Sequence, residues 1–311
     1  MRIAIIGAGA IGSALAAGIA RTGADVTLVA RGERLALLRT GPVRMVSDSG
    51  AWEQAVPVCA ADDLTGPLDL AICCVKTPDL PDALTALRGK LAPHGAVLTL
   101  QNGVEAPEQA AAILPDAAIV AGRMHGFFEL DGDAVRHVGV PPSILLGCTH
   151  GAADAAETLV LHALAGSGAG SGAGSGIAAA ASPDIVRALW EKFMLAAALG
   201  SVACALGVPA GTVCAQPGGA ELLRAAMAEI AALARLAGVN LGEAEVAVTM
   251  AFVGTFPPGA TTSFQRDLLA GRRSEYAVLT GAVPRLAQRH GFTPVVFPRL
   301  DAMIRARLPL V

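Results

Sequence analysis

Lysine is nearly absent from this chain. Of its 23 basic residues only Lys76, Lys90 and Lys192 are lysine, so arginine is the default cation and each lysine marks a place where it was not used. Charged residues of both signs make up only 16%, the net charge is −3 and the isoelectric point is near 6.1, with no basic stripe. Nucleic acid is therefore not an expected partner. The six cysteines contain no C-x-x-C pair, and Cys73-Cys74 sits inside an apolar strand pattern. They read as reduced core residues of a cytoplasmic protein, and no metal site is expected. Phe193 to Ala215 is uncharged and long enough to raise the question of a membrane span. It is mostly Ala and Gly, is broken by Gly207-Val208-Pro209 and lacks flanking aromatics, so it reads as a buried helix followed by a turn, with no membrane expected.

Glycine is abundant, and its first occurrences are placed with purpose. Arg2-Ile3-Ala4-Ile5-Ile6 has the unbroken apolar character of a buried parallel strand and runs into Gly7-Ala8-Gly9-Ala10-Ile11-Gly12. A helix from Ser13 to Thr22, a stop at Gly23 and a second strand over Asp25 to Ala30 follow. This is G-x-G-x-x-G in a strand–turn–helix–strand setting. Gly7 makes the tight turn, Gly9 lets a pyrophosphate approach the backbone, Gly12 lets helix and strand pack closely, and the helix N-terminus faces the phosphates. Gly7, Ala8, Gly9, Ala10, Ile11 and Gly12 are thus expected to bind a dinucleotide. A secretory leader is the competing reading, and it fails because its apolar core would hold several glycines and run straight into a strand pattern.

The second strand ends in Ala30-Arg31-Gly32-Glu33-Arg34. An NAD site usually has an acid here for the ribose 2′-hydroxyl, whereas an arginine suits a 2′-phosphate. Asp25 lies at the wrong end of the strand, so Arg31, joined by Arg34, points to NADP(H). A solvated loop charge is the plain alternative for Arg31.

The 311 residues suffice for two domains with separate cores. Strand patterns at Glu53 to Cys59, Leu70 to Val75, Ala96 to Leu100 and Ala117 to Ala121 alternate with helical stretches, predicting an α/β doubly wound parallel sheet with its ligand at the carboxyl ends. Arg31, Lys76 and Asn102 fall at such ends. Alternation around Asp131-Gly132-Asp133 predicts a hairpin. The Gly/Ser/Ala tract 166–176 cannot bury apolar surface and is expected to be flexible, so the dinucleotide domain is placed at 1–176 and an all-helical substrate domain at 177–311. In the second domain Ser182-Pro183 predicts a helix start, Gly218 to Leu236 an amphipathic helix, and Arg273 to His290 another that Pro284 kinks.

Lys192 lies in the middle of an apolar helix pattern. A desolvated lysine can lose its proton near neutral pH and an arginine cannot, which makes Lys192 the candidate acid. A surface lysine snorkelling beside Glu191 is the alternative.

Gly7-Gly9-Gly12, Lys76, Gln101-Asn102-Gly103-Val104, Trp190-Glu191-Lys192-Phe193 and Ser263-Phe264-Gln265-Arg266-Asp267 through Arg273-Ser274-Glu275 together resemble the ketopantoate reductase (2-dehydropantoate 2-reductase) family, in order and along nearly the whole chain. The resemblance implies an NADPH-dependent reductase of a 2-oxo acid, with an N-terminal Rossmann domain, a helical second domain and the substrate in the cleft. It is compatible with a homodimer. By position Lys192 would be the general acid, Glu275 would hold substrate hydroxyl, cofactor and Lys192, Ser263 would meet the substrate carboxylate, and Lys76 and Asn102 would line cofactor and substrate. Taken singly, Glu275 suits a helix start, Asn102-Gly103 a turn and Ser263 a cap.

The chain departs from the family where Ala196 and Gly200 stand on the lysine's helix face in place of two asparagines. Fewer donors and more space there would admit a bulkier or less hydroxylated 2-oxo acid, branched or aromatic. A catalytically silent NADP-binding redox sensor is the alternative from another class.

Overall fold

The computed structural model describes residues 1–165 and 176–307. The tract expected to be flexible over 166–176 lies, but for Gly176, outside the described residues.

The chain begins with β1 (Arg2–Ile6), turns through the glycines into α1 (Ala10–Ala20), and continues with β2 (Asp25–Val29) and α2 (Gly32–Thr40). The strand expected over Glu53 to Cys59 is instead a hairpin of β3 (Val43–Ser47) and β4 (Gly50–Gln54), followed by the two-residue β5 (Val58–Cys59). Pro57 interrupts the run because it has no N–H to give a ladder, while its carbonyl accepts from the Leu28 N–H at 2.8 Å. Next come β6 (Leu68–Cys73), α3 (Leu80–Thr85), β7 (Leu91–Thr99), α4 (Ala106–Ile113), β8 (Ala118–Asp131), β9 (Ala134–His150), α5 (Ala153–Ala165) and β10 (Ala178–Ala181). Asp131 pairs with Ala134, so Gly132-Asp133 closes the β8–β9 hairpin as the turn signal predicts.

The sheet runs β4-β3-β9-β8-β7-β6-β1-β2-β5, with β10 beside β9. Among the described pairs only β3–β4 and β8–β9 are antiparallel. Successive residues of the central strands face opposite layers. Ile3, Ile5, Leu70 and Ile72 pack with Leu15 and Ile19 of α1, whereas Ala4, Ile6, Ala71 and Cys73 pack with Leu80 and Leu84 of α3 and Ala110 of α4. Both faces are covered, as continuous apolar strands require. This α/β unit comprises Met1–Gln101 and Glu105–Ile185. Its end lies beyond the 176/177 division, because β10 follows the tract and pairs with β9 in the same sheet.

The second unit comprises Asn102–Val104 and the chain from Val186 onward. Its described elements are helical: α6 (Ile185–Leu206), α7 (Gly219–Leu236), α8 (Glu243–Val253), α9 (Ser263–Leu269), α10 (Ala282–Arg289) and α11 (Val296–Arg307), with short 3-10 turns between them. α6 is long and apolar enough to cross a membrane, but 72% of that stretch is buried inside the protein. Phe193, Ala197, Ala203, Ile230, Val283 and Phe297 meet in the core around it. α6 starts at Ile185 rather than at Pro183, and the Ser182 hydroxyl accepts from the Asp184 N–H at 3.3 Å in a turn before it.

The single kinked helix expected over Arg273 to His290 is not formed. A 3-10 turn at Tyr276–Val278 is followed by α10, whose N-cap is Gly281. Pro284 therefore falls in the first turn of α10, where N–H groups have no intrahelical acceptor to lose, and it bends nothing.

Candidate active site

In the α/β unit the site is built on the turn after β1. Gly7 adopts φ +112°, and a β-carbon there would lie 2.8 Å from the Val75 nitrogen, so only glycine fits. A β-carbon on Gly12 would fall on the Gly7 carbonyl oxygen, whereas one on Gly9 would meet nothing within 4 Å. The turn is thus closed toward the sheet and open outward beside Gly9. No side chain caps α1, which leaves its first N–H groups for an anion. The cradle fits a dinucleotide pyrophosphate.

Arg34, which sequence grouped with Arg31, has a different task. It gives Nε–H to the Ala8 carbonyl at 3.2 Å, Nη1–H to the Asp133 carbonyl at 3.1 Å and Nη2–H to the Ser13 hydroxyl at 3.4 Å. Burial draws its pKa down, and the Asp133 carboxylate opposes that shift. Arg34 therefore braces the glycine turn. Arg31 is the N-cap residue of α2, with its side chain 82% exposed and its Nη2 2.8 Å from Asp79 Oδ2. Lys76 is exposed and extended just before the 3-10 turn Thr77–Asp79 that follows β6. Gln101, just past β7, donates to the Cys73 and Val75 carbonyls at 2.9 and 3.0 Å and so ties down the segment leading to Lys76. Sequence showed Gln101 only as part of a motif; its bonding follows from β6 and β7 being neighbours.

In the helical unit the Asn102 amide donates to Glu275 Oε2 at 2.7 Å, joining two candidate residues far apart in sequence. Glu275 is also fixed through its backbone, since its carbonyl accepts from the Val278 and Leu279 N–H groups at 3.1 and 3.0 Å. The buried Ser201 and Thr280 hydroxyls share a hydrogen bond of 2.7 Å, which pins the segment after Glu275 to α6. Nothing in the sequence marked that pair. Lys192 is half-buried on α6, on the turn where Trp190 and Phe193 are buried and their rings meet edge to face. Glu191 pairs with Arg187 at 3.1 Å. Ser263 is the first residue of α9 and exposed; the cap is Thr262, whose hydroxyl accepts from the Gln265 N–H at 3.0 Å.

The space expected at Gly200 is not there. Gly200 is buried, and a β-carbon on it would lie 2.7 Å from Phe264 Cδ1. The Phe264 ring, 2% exposed, fills the volume that the absent side chain releases. The helix face is apolar as expected but not roomier.

Two family descriptions match this chain in tandem: "Ketopantoate reductase PanE/ApbA" over residues 3–151 and "Ketopantoate reductase PanE/ApbA C terminal" over residues 184–307. The 2-dehydropantoate 2-reductase of Halobacterium salinarum is 30% identical over 308 residues, 98% of each chain. The chain belongs to the ketopantoate reductase family. Among solved structures, a PanE/ApbA family ketopantoate reductase from Ralstonia eutropha superposes with a TM-score of 0.84 at 28% identity, covering 98% of both chains. A D-mandelate dehydrogenase solved with NADH and anilino(oxo)acetate shares the fold, with a TM-score of 0.86 at 21% identity over 98% of both. As a ketopantoate reductase family member the chain is an oxidoreductase acting on CH–OH, and it works on a small-molecule substrate with a nicotinamide cofactor.

Proposed function

We propose that this chain reduces a 2-oxo acid to the 2-hydroxy acid with NADPH, and that the substrate is 2-dehydropantoate, reduced to pantoate. The observation that carries the reading is the Asn102–Glu275 hydrogen bond, which brings together two candidate residues of the helical unit that also bears Lys192 and Ser263. The name shared by relatives such as those of Halobacterium salinarum and Mesorhizobium japonicum supports the substrate.

When bound, the dihydronicotinamide supplies a hydride to the substrate carbonyl carbon. The Lys192 ammonium then gives a proton to the carbonyl oxygen, so that hydride and proton together make the CH–OH group. Glu275, aimed by Asn102, accepts from a substrate hydroxyl and from the Lys192 ammonium. The Ser263 hydroxyl donates to the substrate carboxylate. Gly9 and the N–H groups at the start of α1 take the pyrophosphate, with Lys76 and Arg31 adding positive charge.

A second reading rests on Ala196, half-buried on α6 one turn after Lys192 where it presents an apolar surface: a 2-oxo acid with a branched or aromatic apolar substituent is the substrate. Such a surface offers an extra substrate hydroxyl no partner, and it discriminates by only about 1–3 kcal/mol per methylene. Steady-state rates with 2-dehydropantoate, 2-oxoisovalerate and phenylglyoxylate separate the readings. A preference for 2-dehydropantoate of about a hundredfold or more supports the first, equal or faster reduction of the others supports the second, and no turnover of any 2-oxo acid with either nicotinamide cofactor overturns both.

A further inference from the structure

An ion pair joins the segments after β2 and β6, Arg31 Nη2 to Asp79 Oδ2 at 2.8 Å. Its two sides are unequal: the Arg31 side chain is 82% exposed, and that of Asp79 is 18% exposed. The pair spans the carboxyl end of β1, because β2 and β6 are the two neighbours of β1 in the sheet. The end of β2 is where a dinucleotide of this fold presents its adenosine ribose, and where an acid accepts from the 2′-hydroxyl or an arginine accommodates a 2′-phosphate. This chain places one of each there. Glu33 in the first turn of α2 adds a second acid, and Arg34 is held at Ala8, Ser13 and the Asp133 carbonyl.

We propose that Asp79 is a cofactor-specificity residue, holding Arg31 at the end of β2 and narrowing the preference for a 2′-phosphorylated dinucleotide over an unphosphorylated one. A 2′-phosphate carries about two negative charges, and to reach Arg31 it must displace or adjoin the Asp79 carboxylate. A 2′-hydroxyl meets no such opposition and can donate to that carboxylate. The sign is thus set by charge: Arg31 favours NADPH and Asp79 disfavours it, whereas NADH, with no 2′-phosphate, stands to gain or lose no more than one hydrogen bond.

This inference rests on the dinucleotide-binding reading, and its test measures binding without substrate. NADPH and NADH are titrated by nicotinamide fluorescence against the parent protein, Asp79→Asn, Arg31→Ala and the double variant, with melting temperatures confirming that each is folded. Asp79→Asn is expected to tighten NADPH about tenfold while leaving NADH within about threefold. Arg31→Ala is expected to weaken NADPH by a similar factor. Removing Asp79 from the Arg31→Ala protein should still tighten NADPH, because the repulsion persists without the arginine; Asp79→Ser serves in place of Asp79→Asn if that variant does not fold. If both cofactors bind and a 2-oxo acid is reduced, but the NADPH-to-NADH affinity ratio stays within about twofold on removing Asp79, the inference falls and the reductase reading stands. If the parent binds neither cofactor, both fall.

Discussion

The edge of the Phe264 ring lies 2.7 Å from the point where a β-carbon on Gly200 would stand. The two residues act as one volume: glycine on α6 admits the ring, and the ring fills what the glycine leaves open. Adding the family's asparagine at position 200 therefore overpacks the site. Gly200→Asn is expected to cost about 1–3 kcal/mol of stability in urea unfolding, and Phe264→Ala alone about 3–5 kcal/mol. The double variant should be more stable than the sum predicts by about 1 kcal/mol or more, because each change relieves the other. Strict additivity would show that the two do not share space.

In the proposed reaction Lys192 gives the proton. Lys192→Ala should lower kcat by about 10²–10⁴ and leave the dissociation constants of NADPH and NADH nearly unchanged, since the residue belongs to the helical unit. A variant that keeps kcat within about threefold would move the proton to another group. Asn102→Ala should act through Glu275, which loses the amide that aims it; KM for the 2-oxo acid should rise, and Glu275→Gln should reproduce most of that rise.

Arg34 and Arg31 stand three residues apart and predict different phenotypes. Arg34 holds the Ala8 carbonyl and the Ser13 hydroxyl, so Arg34→Ala loosens the glycine turn for any dinucleotide. NADPH and NADH should weaken together, by about 1–3 kcal/mol in isothermal titration. A loss confined to NADPH would instead place Arg34 at the 2′-phosphate.

Much of this was legible in the sequence, and the exceptions have a common cause. The glycine turn, α1 and the Gly132-Asp133 hairpin follow from local rules, because each is specified by residues within a few positions. The order of motifs placed Asn102 and Glu275 among the site residues, but their direct hydrogen bond was not legible, since 173 positions separate the two. What was missed depends on partners brought in by topology. Asp79 meets Arg31 only because β6 and β2 flank β1, and Phe264 reaches Gly200 only because α9 folds against α6. Pro284 misled in the opposite way: an apolar stripe suggested one helix, but Gly281 restarts the chain three residues earlier and places the proline where it costs nothing.

Glu229 illustrates how the helical unit is held together. This carboxylate on α7, 8% exposed, accepts N–H groups from Val295, Val296 and Phe297 at 2.5, 2.8 and 2.8 Å, so it caps the start of α11 from another helix. Glu229→Leu removes the acceptor and the favourable charge at the helix N-terminus and strands the buried Phe297 N–H together with two partly buried ones, at an expected cost of about 2–5 kcal/mol. Glu229→Gln keeps one acceptor oxygen and should lose about half as much. Equal midpoints for parent and Glu229→Leu in urea unfolding would refute this role.

The cysteines provide a probe of opening. Burial pushes Cys73 and Cys204 up to about 12, whereas Cys214 is exposed and only raised from its ordinary value, again by burial. A raised thiol pKa lowers the reactive thiolate fraction at a given pH, to about 10⁻⁴ at pH 8 for a thiol titrating at 12. Cys214 should therefore react first with a disulfide reagent at pH 8, at a rate that climbs as pH approaches its pKa. Cys73 and Cys204 should react only through unfolding, at a rate that is insensitive to pH once trapping of the open state outpaces refolding and that rises with urea. Peptide mapping of the modified protein checks the order. Labelling of Cys73 alongside Cys214 in the absence of urea would mean that β6 opens far more readily than a strand hydrogen-bonded on both sides allows.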